Sequence, residues 1–358
     1  SILEAIQRRI RAILLSILMN LVDCVSFEEQ IDMQMRGCLV GLMLLIATLL
    51  LNVPPSFSQD PDLVRHFDYD RKAPLAIKEI GDERRGNVRV LDITYASPKG
   101  GVVPAYLVVP EGKGPFAAVV WGHWYWGNSP MRNRKEFLEE AVVLAQAGVV
   151  SLLTDGPIAR PGYVPITDPL SEQNPADLLQ QVVDMRRGVD LLLARKDVDA
   201  KRIAYVGHSY NALVGAILSG VDRRFKAFVL MAGPLSRELD VKTPEYQGYR
   251  DKVGSEKFDG YMNKYYYLDE GKYVSHAAPA FIFMQFATQE KFLTAERARQ
   301  YEAIVSEPKK FKLYEAPHAL NAAATRDRIA FLTEQLKLKP LPASVVASIP
   351  ELYQPPAN

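Results

Sequence analysis

The chain has 358 residues, 48% of them hydrophobic and 24% charged, with a formal net charge of +1. That is globular composition, and without a long Lys/Arg run it gives no reason to expect a nucleic-acid partner. The two cysteines, Cys24 and Cys38, both lie near the N-terminus, so from residue 39 onward no thiol is available for a disulfide, a metal site or a nucleophile.

No charged side chain occurs between Gly37 and Gln59, and the apolar run Cys38 to Leu51 follows Arg36. Ser56 and Ser58 then supply the small-x-small pattern of a cleavage site. The run falls short of the ~20 residues that span a bilayer, so a cleaved signal peptide over about residues 33–58 is expected. An uncleaved anchor or a buried helix are the alternatives. The chain starts at Ser1, and residues 1–32 precede a plausible start, as expected of a fragment or an over-extended reading frame.

After Gln59, strand and helix signals alternate. Val88 to Tyr95 and Val102 to Val109, joined by Pro98-Lys-Gly-Gly101, read as an antiparallel hairpin. Phe116 to Trp121 and Val149 to Asp155 are nearly continuous apolar runs, as strands buried on both faces should be. Lys135 to Ala147 has helical spacing and stops at Gly148, and Asn174 to Arg195 reads as a long amphipathic helix capped by Asn174 with Pro175 first. Arg202 to Val206, Phe225 to Ala232, Pro279 to Phe286 and Lys310 to Tyr314 are further strands, and Ala295 to Val305 and Ala322 to Leu336 further helices. The prediction is an α/β domain over residues 59–340: a mostly parallel eight-stranded sheet covered by helices on both faces. A Tyr-rich insertion at about 234–278 is expected to cap the site, with Gly156 to Gln173 lining the same mouth, and residues 341–358 read as a Pro-rich tail.

Gly207-His-Ser-Tyr-Asn211 falls between a strand and a helix. A serine there sits on a sharp turn at the carboxyl edge of the sheet, where the amide of Tyr210 can face a developing oxyanion. Small residues are favoured two before and two after it. Gly207 fits and Asn211 departs, so an Asn211→Gly exchange is expected to be tolerated. Of five histidines, only His318 follows the last strand at the same edge, after Tyr314-Glu-Ala-Pro. His66 precedes the sheet, His276 lies at the wrong edge, His123 follows the Trp121 strand, and His208 should point away from the serine. The acid should follow the Pro279 strand, which makes Glu290 the candidate ahead of Asp269, Glu270 and Glu296. Glu238 and Asp240 stand in reserve. The second oxyanion donor is expected from the backbone of Trp124 or Tyr125, with Trp126, Tyr265 and Tyr266 in the substrate pocket.

These residues resemble the dienelactone hydrolase-like branch of the α/β-hydrolases, which includes many bacterial esterases, acetylxylan esterases and prolyl-oligopeptidase-type catalytic domains. The likeness runs from about Phe67 to Leu338 and rests on Ile93 to Gly101, Val206 to Tyr210, Gln285 to Glu290 and Tyr314 to His318. It implies an α/β-hydrolase fold with a cap insertion and a triad acid at the Glu290 position. Dienelactone hydrolase itself has Cys where Ser209 stands, so lactone specificity does not carry over. The expected function is hydrolysis of a small-molecule carboxylic ester by Ser209, His318 and Glu290, in a secreted or periplasmic protein. No metal, no organic cofactor and no stable membrane association after signal cleavage are expected. A small-peptide or amide hydrolase with the same triad and an inactive hydrolase-fold binding protein are the alternatives.

Overall fold

The computed structural model describes residues 60–125, 129–233, 236–290 and 293–354. The predicted signal segment and Trp126 lie outside the described residues. The described residues belong to one compact unit.

Nine strands form a single sheet, one more than expected. They are β1 (Lys78–Arg85), β2 (Val88–Ala96), β3 (Val102–Pro110), β4 (Phe116–Gly122), β5 (Val149–Thr154), β6 (Val198–His208), β7 (Ala227–Met231), β8 (Phe281–Ala287) and β9 (Lys309–Tyr314), in the spatial order β1-β2-β3-β5-β4-β6-β7-β8-β9. The additional strand is β1. Its sequence, Lys-Glu-Ile-Gly-Asp-Glu-Arg-Arg, buries no side chain fully, so no apolar alternation announces it. A charged edge strand of this kind also discourages pairing with other chains. β1 to β3 form an antiparallel meander, β3 meets β5 antiparallel, and the ladders from β5 through β9 are parallel.

The inner parallel strands β4, β5, β7 and β8 are buried on both faces, with every residue of β5 and β7 inaccessible, while edge strand β9 alternates partly buried and exposed residues. One face packs on α3 (Gln173–Leu193) and α4 (Tyr210–Val221), through Leu178, Val182, Val214 and Ile217. The other packs on α2 (Leu138–Ala145) and α10 (Ala322–Gln335), through Leu144, Ile329 and Leu332. Deep in that second layer Arg328 of α10 pairs with Glu140 of α2 at 2.6 Å and also donates to Gln285 of β8.

Some boundaries differ from expectation. α3 begins at Gln173, because the Asn174 side chain caps nothing and donates instead to the Pro169 carbonyl. Asn321 does cap α10, accepting from the Ala324 amide, and Thr294 caps α9 (Ala295–Ile304). The remaining helices are α1 (Pro61–Arg65), four in the Tyr-rich insertion, and α11 (Ala343–Ala347) in the tail. Those four are α5 (Arg237–Asp240), α6 (Pro244–Val253), α7 (Ser255–Lys264) and α8 (Gly271–Val274). Past α11 the tail returns to the domain, where Gln354 donates to the Leu320 carbonyl.

The chain leaves β4 for β5 on one side and returns to β6 on the other. This reversal opens a crevice at the carboxyl ends of β4 and β6, where open α/β sheets place their ligands.

Candidate active site

Ser209 stands between β6 and α4 with φ 54° and ψ −113°, left-handed backbone for a residue with a side chain. Such a conformation costs on the order of 1–3 kcal/mol and persists only where its surroundings enforce it. Here the Ser209 amide donates to the Met231 carbonyl at 2.8 Å, extending the β6–β7 ladder into the turn. Gly207 is obligatory, since a Cβ there would come within 2.2 Å of the Asn211 carbonyl oxygen.

Asn211 is fully buried, and its side chain is not a bystander. Its amide nitrogen donates to the His123 carbonyl at 2.5 Å, and its oxygen accepts from Gln181 of α3 at 3.0 Å. Gly122, opposite, makes this possible: a Cβ there would lie 2.5 Å from the Asn211 Cβ. The residue is therefore a tie between the Ser209 turn, the β4 loop and α3, which changes the expectation that Gly would be tolerated.

The acid loop and the histidine loop are joined as extensions of β8 and β9. The Thr288 amide donates to the Tyr314 carbonyl and the Gln289 amide to that of Ala316. This brings Glu290, its side chain 3% exposed, onto Nδ1 of His318. A carboxylate accepting there keeps the proton on Nδ1 and leaves Nε2 as the basic nitrogen of the neutral ring. His318 follows β9, as Ser209 follows β6, at the same carboxyl edge of the parallel sheet.

The other candidates are committed elsewhere. Glu296 is exposed in the first turn of α9, and Asp269 accepts from Ser236 and the Glu238 amide. Glu238 is on the surface beside Lys242, and Asp240 pairs with Arg297. Burial raises the Asp240 carboxyl to about 6 despite that partner. His66 stacks on Tyr267. His123 is buried, its Nδ1 against the Trp124 carbonyl at 2.7 Å while Nε2 accepts from the Gly156 amide at 3.0 Å. That arrangement requires a neutral ring, and burial lowers its pKa accordingly.

For the oxyanion, the Tyr210 amide lies in the first turn of α4, where amides have no intrahelical partner. The Trp124 amide must be withdrawn as a donor, because it is already bonded to Oε2 of Glu136 at 2.6 Å. Tyr125, next in the loop and 37% exposed, is the remaining candidate there. Glu136 went unnoticed in the sequence because it sits in a run of polar residues, Asn133-Arg-Lys-Glu136, that reads as solvated surface.

A cavity of about 480 Å³ opens above Tyr210 and Leu213, walled by Leu170, Tyr246, Tyr249 and Tyr261. The insertion contributes tyrosines to it, and Tyr265 and Tyr266 are not among its lining residues. Tyr265 is 8% exposed with its hydroxyl on Glu172, and Tyr266 is 49% exposed beneath the Lys272 ammonium. Burial pushes the Tyr210 hydroxyl pKa up. No group of His, Cys, Asp or Glu among the described residues is arranged to hold a metal ion, and no described helix is long and apolar enough to cross a membrane.

The mostly parallel sheet in the order β1-β2-β3-β5-β4-β6-β7-β8-β9, covered by helices on both faces, is the α/β-hydrolase fold, with Ser209 between β6 and α4 and the Glu290–His318 pair in the loops after the last two strands. Solved structures share it along most of their length. An acetyl xylan esterase from Paenibacillus sp. R4 matches with a TM-score of 0.62 at 20% identity, over 81% of this chain and 99% of that one. Acetyl xylan esterase 1 from Thermoanaerobacterium sp. JW/SL YS485 matches with a TM-score of 0.61 at 15% identity, over 76% and 92%. The α/β-hydrolase GrgF from Penicillium sp. sh18 matches with a TM-score of 0.51 at 15% identity, over 69% and 98%. No protein-family model and no curated protein sequence matches the chain.

Proposed function

We propose that the chain is a serine esterase that cleaves carboxylic esters of small molecules. The observation carrying this reading is the Glu290–His318 pair at the same sheet edge as a serine in strained, left-handed backbone. Nε2 of His318 takes the Ser209 proton as Oγ attacks the ester carbonyl. The Tyr210 amide, with a second donor from the Tyr125 region, receives the charge that forms on the carbonyl oxygen. As the tetrahedral intermediate collapses, the carbon–oxygen bond to the alcohol breaks and His318 gives the proton to the leaving oxygen. Water then attacks the acyl-serine with His318 again as base, and as the acyl carbon–Oγ bond breaks His318 returns the proton to Oγ, which releases the acid and restores Ser209.

The likeness to two acetyl xylan esterases makes acetyl esters the first substrates to try. The reading includes export through the Cys38 to Leu51 segment, with the mature chain starting near Gln59. N-terminal sequencing of exported protein reads this directly. The catalytic reading is tested by labelling with a fluorophosphonate and by turnover of p-nitrophenyl acetate. Both should require Ser209 and vanish in Ser209→Ala. A wild-type protein that neither labels nor turns over any ester is a binding protein on a hydrolase fold, and faster cleavage of a matched anilide makes it an amidase.

A further inference from the structure

We infer that Glu136 and His208 form a buried positioning pair that holds the His318 imidazole at its working angle. The inference rests on the proposed role of His318 as catalytic base. His208 is fully buried and Glu136 nearly so, and neither is needed by the chemistry above. Nε2 of His208 lies 3.0 Å from the backbone carbonyl of His318. A carbonyl only accepts, so that nitrogen carries a hydrogen and donates it. Nδ1 of His208 faces Oε1 of Glu136 at 2.5 Å, with one proton between them. Oε2 of Glu136 accepts from the Trp124 amide. The pair is therefore neutral as a unit, and its hydrogen-bonding atoms are all engaged, which is the condition under which buried ionisable groups are tolerated.

The same residues hold the imidazole by its face. The rings of His208 and His318 stack with centroids 5.3 Å apart and planes 27° apart. Trp124 lies nearly parallel to both, 5.1 Å from His208 and 6.1 Å from His318. Among the contacts that hold His318 are three: Glu290 at its edge, the His208 N–H at its backbone carbonyl, and the stacked His208 ring at its face. Two of the three come from His208, the residue directly before the nucleophile. One side chain therefore couples the nucleophile turn, the base loop and the β4 loop. It touches neither substrate nor reacting atoms and acts only through His318.

The test is His208→Phe combined with Glu136→Gln, which keeps a ring in the stack, deletes the bond to the His318 carbonyl and leaves no buried unpaired charge. Small misplacements of a catalytic group cost up to about 10²-fold, so kcat on p-nitrophenyl acetate should fall about 10- to 100-fold with KM within about twofold. Glu136→Gln alone keeps both hydrogen bonds, with His208 neutral and Nδ1 accepting, and should lose less than about fivefold. Rates are taken per folded molecule, from thermal melts of each variant. A double variant that melts lower but turns over within about threefold of wild type has lost only a structural contact, and the inference fails. The second readout does not depend on turnover. In wild-type protein the His318–Glu290 bond should give a low-field proton resonance, identified by its loss in His318→Gln. The double variant should shift or broaden it, and an unchanged resonance overturns the inference. A wild type that turns over no ester overturns the esterase reading instead, and the resonance still decides the pair.

Discussion

Replacing Asn211 by glycine is the sharpest test of how the nucleophile turn is built. The exchange removes a donor to the His123 carbonyl and an acceptor for the Gln181 amide, at 2.5 and 3.0 Å. Gln181 is 1% exposed and His123 2%, so water has poor access to replace either bond. A buried polar group left unpaired costs about 1–3 kcal/mol, and two such groups cost roughly 2–6. Glycine in a helix adds up to about 1 kcal/mol, less in the first turn, where Asn211 lies. A water entering the vacated space would recover part of the loss, which leaves an expected destabilisation of about 3–5 kcal/mol. Against a typical stability of about 5–15 kcal/mol the protein still folds. For a domain of this size the melting temperature should drop by about 5–10 °C. The assay is thermal unfolding of the purified variant, with kcat measured well below the transition. Turnover should also fall, because the turn that presents Ser209 loses its tie to the β4 loop. A variant melting within about 1 °C of wild type with full activity would refute the reasoning. It would mean that backbone packing against Gly122 and Gly207 suffices to hold the turn.

Glu290→Gln preserves shape but permits the wrong His318 tautomer, so kcat should fall about 10²- to 10⁴-fold, on the order of 3–5 kcal/mol of barrier, with KM little changed. Retention of more than about a tenth of wild-type kcat would remove Glu290 as the acid, and Glu296→Gln on exposed α9 should be nearly silent. Arg328→Met strands Glu140 in the second core layer and should cost about 3–5 kcal/mol by denaturant titration, while Arg328→Met with Glu140→Leu should recover most of it. His123 is held neutral in the fold, so the unfolded chain binds its proton more readily. Its contribution is full above the unfolded pKa, and stability falls as pH drops below about 6.5. His123→Asn should flatten that slope, and an equal slope in both proteins would discount the residue. If the Tyr-rich insertion restricts the site, p-nitrophenyl butyrate should be cleaved faster than the palmitate, and a palmitate preference would point to an open apolar groove.

Features written in consecutive residues were legible in the sequence. A buried parallel strand must be a continuous apolar run and an amphipathic helix must repeat every three to four residues, so β4 to β8 and α3, α9 and α10 could be read directly, while edge strand β9 showed itself by alternating Lys with apolar residues. The Ser209 turn is likewise local: a glycine two before a serine, between a strand and a helix. His318 and Glu290 followed from chain order alone, because parallel topology sends the end of each strand to the same edge. The tertiary structure decided whatever depends on partners distant in the chain. β1 exists because β2 offers it a ladder, and its own residues carry no pattern. The Trp124 amide is taken up by Glu136, which reads as surface but turns inward to meet it and His208. Tyr246, Tyr249 and Tyr261, rather than Tyr265 and Tyr266, line the cavity, because short helices fix which side faces inward only once they pack. Asn211 fits where glycine is usual because the glycine is supplied across the fold, at Gly122. Local periodicity reflects solvent on one side and core on the other; the identity of the neighbour across the core is set only when the chain closes on itself.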